Sequence, residues 1–298
     1  MTSCSATKQF LPEDRNRPFV AYGIFRPGQI AYHQLKDFVG VVEKVFIPGT
    51  LRMRDGLVLF DESRDGSGID AYKISFLRGR EESAYSVISE MEPENLFKWG
   101  TVQINGEACN ILFGKKVKRG SHEIDFKEYE DVWNDPLFNS ALSVVCDELP
   151  DIANDRPVAE WDMRAFFRLQ MAYLLLWSAI ERFATLRYGF GHSPTKKLEM
   201  LANDAAFRKA IMDRVNEGNY FDVFRTDDPE KRYEHKPDNP LSAMLAYYQV
   251  RSNITHRGKS YKNDYMRLLK AANTLFLVFH DVLDAAKNEA LLDMSEIK

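Results

Sequence analysis

The chain contains 298 residues with a mass of 34.4 kDa, and this length predicts two domains. A hydrophobic fraction of 45% and a charged fraction of 28% are typical of a globular protein and exclude a chain that is disordered throughout. The 40 basic and 44 acidic side chains give a net charge of −4, which excludes a generally basic nucleic-acid coat protein but allows a local basic site.

The cysteines and the hydropathy predict a protein of the reducing cytoplasm. Cys4, Cys109 and Cys146 are too few and too scattered for a disulfide framework or a metal cage. Residues 1–17 are polar and do not resemble a signal peptide. The most apolar stretch, 166–183, is interrupted by charged residues and falls short of the roughly 18 uninterrupted apolar residues of a bilayer span. We therefore expect no membrane partner.

The first part of the chain predicts short strands that are separated by turns. β-Branched and aromatic residues cluster between turns that contain glycine or proline, which is the pattern of strands. The predicted strands are Phe19–Tyr22, Val41–Ile47, Gly56–Phe60, Ile69–Ser75 and Thr101–Ile104. Asn105-Gly106, directly after the last of these, favours a two-residue hairpin turn.

After residue 125 the hydrophobic period becomes helical. The predicted helices cover Pro136–Leu149, 159–187, Lys196–Glu217, a segment that begins at Pro240, and Asp264–Leu291, with a surface excursion over 218–239. The helix at 159–187 is apolar nearly all round, which predicts a place at the centre of a bundle.

These elements predict an α+β protein, in which a β domain precedes an all-α helical bundle. The predicted parts are a polar tail at 1–17, a β domain at 18–125, a connector at 126–158 and a helical bundle at 159–298.

A strand that ends in a glycine-containing loop is the first candidate binding site. The segment from Phe19 to Gly28 reads Phe-Val-Ala-Tyr-Gly-Ile-Phe-Arg-Pro-Gly. Gly23 lets backbone N–H groups approach a small anionic ligand closely. The same pattern is also typical of a tight turn after an edge strand, so the residues alone leave both interpretations open.

This segment resembles the opening of the γ-glutamylcyclotransferase-like family, whose first strand ends in a Tyr-Gly loop. Pro48-Gly49-Thr50-Leu51 resembles the next recognisable segment of that family, and Ile88–Glu92 lies where the family shows Leu-Asp-x-x-Glu. The resemblance covers about residues 18–115 and implies a small mixed β-barrel with flanking helices. It also implies that Glu92 is the general acid/base and that a γ-glutamyl group binds to the backbone amides of Tyr22, Gly23, Ile24 and Phe25.

The implied chemistry suits a partly buried carboxylate. Cyclisation to oxoproline requires the α-amine of the substrate to lose a proton and the leaving amine to gain one, and a carboxyl group with a raised pKa can do both. Glu90, Glu92 and Glu94 alternate, so Glu90 or Glu94 is the alternative site acid, and three acids this close are also typical of a solvated turn. Ser89 and Pro93 depart from the family pattern.

The helical part contains a second motif, Arg251-Ser252-Asn253-Ile254-Thr255-His256. Its Arg-x4-His spacing resembles the motif of HEPN domains (higher eukaryotes and prokaryotes nucleotide-binding), many of which are metal-independent ribonucleases. Arg187–His192 has the same spacing, but its glycines predict a helix end and a loop. Only Arg251–His256 is predicted to close a bundle helix, beside a cluster of basic residues that extends to Lys270.

The HEPN resemblance implies that His256 moves a proton while Arg251 neutralises an RNA phosphate and Asn253 supports them. Arg251 and His256 lie about 140° apart on an ideal helix, and HEPN domains combine such residues by forming a homodimer. Glu181 lies in the otherwise apolar helix and needs a partner, for which Arg251 is the hypothesis. The alternative is a polar helix terminus with an ion pair inside the bundle.

Three functions follow from these motifs. The first is a HEPN-type ribonuclease or RNA-binding protein whose β domain binds a small γ-glutamyl or amine-type ligand, with a stress or defence role by analogy. The second is an oxoproline-forming cyclotransferase that is dimerised by the bundle. The third is a binding protein without catalysis. No motif for zinc, a phosphate-binding loop or flavin is present, and we expect no metal and no cofactor.

Overall fold

The computed structural model describes residues 10–54, 56–62, 68–124, 135, 137–154, 163–215, 221–225, 228, 230–236, 238–257 and 262–296. Of these, residues 154, 163, 256, 257, 262, 263 and 296 are described by their backbone alone. The fold is α+β, as predicted. It divides into a first compact unit of Met1–Trp133, Leu186–Gly191 and Glu289–Lys298, and a second of Asn134–Thr185 and His192–Asn288.

A five-stranded mixed sheet forms the base of the first unit. Its strands are β1 (Phe19–Ala21), β2 (Val39–Pro48), β5 (Gly68–Phe76), β6 (Phe97–Ile104) and β7 (Glu107–Gly114), in the order β2-β5-β1-β7-β6. The central strand β1 is fully buried, pairs antiparallel with β5 and runs parallel to β7. A strand that is buried on both faces needs an uninterrupted apolar run, which Phe19, Val20 and Ala21 supply.

A closed barrel, which the family resemblance implied, is not found among the described strands. β3 (Thr50–Arg54), β4 (Leu57–Asp61) and β8 (His122–Ile124) form a separate antiparallel sheet with the order β4-β3-β8. β3 follows β2 along the chain but takes both of its neighbours from this second sheet, so the backbone ladder does not continue from one sheet to the other. The first unit therefore contains two open sheets.

The hairpin predicted at Asn105-Gly106 is confirmed. β6 and β7 pair antiparallel from Phe97 opposite Gly114 to Ile104 opposite Glu107. Asn105 has φ 52° and Gly106 has φ 85°, and positive φ at both central residues is what a type I′ turn requires. The other predicted strands are also present, with ends that differ by a few residues.

Helix α1 (Glu81–Met91) packs on the five-stranded sheet. Its buried residues, which recur at helical spacing, are Ala84, Tyr85, Ile88 and Met91. The ring of Tyr85 makes edge contacts with Phe19 of β1, Phe76 of β5 and Trp99 of β6 at centroid distances of 6.4, 5.3 and 5.4 Å. These contacts hold α1 against three strands and so fix the residue that follows the helix.

Helices build the second unit. They are α2 (Ser140–Asn154), α3 (Met163–Tyr188) as far as Thr185, α4 (Pro194–Asn203), α5 (Ala205–Arg214), α6 (Pro240–Arg257) and α7 (Lys262–Glu296) as far as Asn288. Trp177, Ile180 and Phe183 of α3 are almost completely buried, which agrees with the predicted central position of this helix. Across the described residues, the helices lack the apolar stretch of sufficient length that a bilayer crossing needs.

One local prediction for the second unit is wrong, and another segment contains strands that were not predicted. The single helix predicted over Lys196–Glu217 is two helices, because Asp204 has an extended backbone (φ −63°, ψ 132°) and its carboxylate accepts a hydrogen bond from Ala206 N at 2.9 Å, which caps α5. The excursion predicted over 218–239 contains an antiparallel strand pair, β9 (Asp222–Phe224) and β10 (Arg232–Glu234).

Candidate active site

The loop that follows β1 presents backbone donors. Arg26 N donates to Gly23 O and Ala31 N donates to Ile24 O, both at 3.1 Å, so two loop carbonyls are used inside the fold. Tyr22 Oη donates to the carbonyl of Leu112 at 2.7 Å and anchors the start of the loop on β7. In the described part of the chain, no group accepts from the N–H of Gly23, Ile24 or Phe25. The loop therefore contains three consecutive backbone donors that no described group uses.

Glu92 is the residue at which α1 stops. Its N–H still donates to Ile88 O at 2.9 Å, but its backbone is extended (φ −107°, ψ 105°), as is favoured for a residue before proline. The side chain is buried, with 6% of its residue surface exposed, and its Oε2 atom has no hydrogen-bond partner among the described residues. Burial without a compensating charge raises the pKa of Glu92 to about 8.

The structure brings Glu92 and the loop residues Tyr22, Gly23, Ile24 and Phe25 to one pocket. Its volume is about 30 Å³, which is room for about two water-sized groups. The other walls are largely apolar and include Phe19, Leu57, Val58, Phe97, Leu112 and Leu186. Among the described residues that line it there is no lysine, arginine or histidine, and its polar groups are the Glu92 carboxyl group, the Tyr22 hydroxyl and the backbone.

Burial distinguishes the three alternating glutamates. Glu90 and Glu94 are exposed and do not line the pocket, whereas Glu92 is buried and does. The carboxyl group that can work in this pocket is therefore that of Glu92 rather than one of the two alternatives.

Sequence reasoning missed Leu186 as a pocket residue. It lies in α3, far outside the segment that carried the family resemblance, yet it belongs to the first compact unit and lines the pocket. No sequence signal marks it, because it is one of several apolar residues on a helix that is apolar nearly all round.

The Arg251 side chain is paired inside the second unit. Its Nη2 atom lies 3.3 Å from Glu181 Oε1, which is the ion pair that was hypothesised, and its guanidinium lies 5.6 Å from the centre of the Tyr248 ring. The expectation that Glu181 is a buried acid is wrong, since 43% of its side chain is exposed. The pair is thus a partly solvated contact between α3 and α6.

The other residues of the Arg-x4-His motif do not join Arg251 in a described site. Asn253 is buried, accepts a hydrogen bond from Gln249 Nε2 at 2.8 Å and donates to Phe224 O at 2.9 Å, so it ties α6 to β9. His256 lies in α6 by its backbone, but its side chain lies outside the described residues. Ribonuclease activity at Arg251 and His256 stays a prediction.

We expect Glu181→Gln to change the free energy of unfolding by less than about 1 kcal/mol, because a partly solvated ion pair contributes little. Urea unfolding of the full chain, with the likewise partly exposed pair Glu148–Arg168 broken by Glu148→Gln as the matched control, measures the effect. A loss of 3 kcal/mol or more, on the order of what a broken buried pair costs, would contradict the prediction.

Among the described residues, no three His, Cys, Asp or Glu side chains lie close enough together to hold a metal ion. The candidate site from which we infer a function is therefore the pocket that Glu92 lines. Comparison with known proteins adds no relative, since no protein-family model, no curated protein and no solved structure matches the chain.

Proposed function

We propose that the first unit catalyses a cyclotransferase-type reaction, in which a γ-glutamyl amine becomes oxoproline and a free amine with Glu92 as the general acid/base. One observation carries the proposal: a buried carboxyl group with a partnerless oxygen shares its pocket with three loop residues whose backbone N–H groups have no acceptor in the described part of the chain. A buried carboxyl group without a partner destabilises a fold, so a use for it in chemistry explains its presence.

The proton balance of this reaction needs only Glu92. The nitrogen of the substrate's neutral α-amine attacks the γ-carbonyl carbon, and the Glu92 carboxylate accepts the one proton that this nitrogen loses as the new bond forms. The bond between that carbon and the leaving nitrogen breaks, and Glu92 returns the proton to the leaving amine. A pKa of about 8 lies near the working pH of a cell, so both protonation states of Glu92 are accessible during one turnover.

The loop donors suit the charge that develops in this reaction. Attack at the γ-carbonyl places negative charge on its oxygen, and preorganised N–H groups stabilise such charge strongly in a site that excludes water. Gly23, Ile24 and Phe25 supply these groups without moving a side chain. Because no cationic side chain of the described residues lines the pocket, a ligand that brings its own amine is the natural counterpart of the Glu92 carboxylate.

The experiment is release of oxoproline from γ-glutamyl amines by the purified full-length chain. We expect Glu92→Gln to lower kcat/KM by at least about 10²-fold, because it removes the carboxyl group that lines the pocket and is proposed to carry the proton. Glu94→Gln is the matched control, since Glu94 is exposed two residues away and should retain full activity. No release by the wild-type chain, or undiminished release by Glu92→Gln, would refute the proposal.

We propose that the second unit binds partners, which are a second copy of the chain and RNA. Homodimerisation and RNA binding or cleavage are inferred from the motif resemblance at Arg251–His256 alone. Arg251 contacts Glu181, and Asn253 contacts Gln249, as expected of residues that pack helices together. These contacts give no separate support for an RNA site, so the proposal rests on the pocket of the first unit.

A further inference from the structure

Leu186 forms one wall of the pocket. It belongs to a segment that is distant in sequence from the other residues that line the pocket. Residues Leu186–Gly191, here called the closing segment, belong to the first unit and comprise the last three residues of α3 and the three that follow it. Leu186 is 1% exposed and is separated from Glu92 by more than ninety residues. Residues 18–115, which carry the family resemblance, do not supply this wall of the pocket.

The closing segment is held directly against the end of α1. Phe190 N donates to the carbonyl of Met91 at 3.3 Å, and Met91 is the neighbour of Glu92. Gly189 has φ 102°, and a Cβ atom there would lie 2.7 Å from the Cα of Met91, which is a backbone atom that cannot turn away. This close approach therefore requires glycine at position 189.

Side chains fix the start of the same segment. Arg187 Nη2 lies 3.0 Å from Glu289 Oε2, and Gln34 Nε2 donates to the carbonyl of Arg187 at 3.4 Å. Arg187 is 7% exposed, whereas 35% of the Glu289 side chain is exposed, so this pairing is only partly shielded from water. The closing segment is thus attached within the first unit at both Arg187 and Phe190. Leu186 lines the same pocket as the loop that follows β1.

The space that Leu186 leaves is smaller than the proposed ligand. About 30 Å³ admits about two water-sized groups, whereas a γ-glutamyl group contains several times as many heavy atoms. We therefore expect the walls of the pocket to move apart when such a ligand reaches Glu92. Of the lining side chains, Leu186 is the one contributed by α3, whose last residues lead into Gly189 and Gly191.

We propose that Leu186 is the specificity-determining residue of the Glu92 pocket, and that the closing segment sets how large a ligand group can reach the carboxyl group. The inference rests on the proposed function for its choice of ligand. It predicts that truncating Leu186, or moving the segment away at Gly189, enlarges the pocket, admits water to Glu92 and shifts selectivity toward larger γ-glutamyl amines.

The test uses two pairs of variants in the full-length chain. Leu186→Ala is paired with Leu51→Ala, which removes an equally buried leucine of the first unit that does not line the pocket. Gly189→Ala is paired with Gly191→Ala, where a Cβ atom would lie 3.6 Å from Glu90 O, an ordinary contact. The two pairs are independent, so loss of folding in one of them still leaves the other informative.

Two measurements are made on each variant. The first is the ratio of kcat/KM for γ-glutamyl-benzylamine to that for γ-glutamyl-methylamine, which we expect to rise at least about 10-fold in Leu186→Ala and Gly189→Ala. The second is the titration of the Glu92 carboxyl group by infrared difference spectroscopy against the same variant carrying Glu92→Gln. We expect its midpoint to fall from about 8 toward 4.5 in those two variants and to stay near 8 in the two controls.

Failure of this inference and failure of the proposed function give different results. An unchanged Glu92 titration in Leu186→Ala and Gly189→Ala, or an equal change in Leu51→Ala and Gly191→Ala, overturns the role of the closing segment. If no variant and no wild-type chain releases oxoproline, the proposed function fails. The titration then still decides whether Leu186 closes the pocket.

Discussion

The free energy of unfolding is expected to fall by roughly 5 kcal/mol between pH 4.5 and 8 because of Glu92 alone. The group has an ordinary pKa of 4.5 in the unfolded chain and a pKa of about 8 in the folded one. Between these values the folded state binds more protons than the unfolded state, so stability is lost as the pH rises. At about 1.4 kcal/mol for each pH unit, this interval gives the stated loss.

Glu92→Gln should remove this contribution. The neutral amide cannot ionise, so the variant should gain stability relative to the wild type as the pH rises, by roughly 5 kcal/mol between pH 4 and pH 9. Urea unfolding at a series of pH values measures the difference, and subtraction of the two curves cancels the other titrating groups. Glu94→Gln, an exposed neighbour, is the control. Parallel curves for the wild type and Glu92→Gln would show that the carboxyl group is solvated in the folded chain.

This pH dependence bears on function. If position 92 served folding alone, an amide or an apolar residue there would give the chain a higher free energy of unfolding at neutral pH. Retention of an acid that costs stability at neutral pH is the pattern of sites at which activity and stability oppose one another. The stability measurement and the oxoproline assay therefore examine the same carboxyl group by independent means.

Asn110→Ala is expected to cost about 3 kcal/mol of unfolding free energy. Asn110 of β7 is 2% exposed, and its Nδ2 atom donates to Asp14 O at 2.7 Å and to Tyr85 Oη at 2.9 Å. Alanine removes both hydrogen bonds, at about 1 kcal/mol each, and leaves the Asp14 carbonyl without this donor in a place that water reaches poorly. The Asn110 network thus joins the segment before β1 to the helix that positions Glu92.

Tyr85→Phe is the matched comparison for this network. It removes the bond from Tyr85 Oη to Arg17 O, at 2.6 Å, and the acceptor for Asn110, but it keeps the packed ring, so we expect a loss of about 1–2 kcal/mol. Urea unfolding followed by circular dichroism measures both variants. If Asn110→Ala stays within about 0.5 kcal/mol of the wild type, the network does not hold this part of the fold.

Local features of the chain were predictable from the residues. The Asn105-Gly106 turn depends on two backbone conformations that those residue types adopt readily, and it is present. The order of β domain and helices follows from hydrophobic periods of about 2 and 3.6 residues, which need no knowledge of distant segments. The break at Asp204 was also locally encoded, because aspartate is a strong helix cap, but a continuous apolar period hid it.

Tertiary structure decided the properties that give the pocket its chemistry. Glu90, Glu92 and Glu94 are the same residue type within five positions, and only packing determines which one is removed from water. Sheet closure likewise depends on which strand edges meet, and here β3 pairs with β4 and β8 instead of extending the first sheet. Leu186 reaches the pocket from more than ninety residues away, since desolvation depends on every atom nearby in space and not on neighbours in sequence.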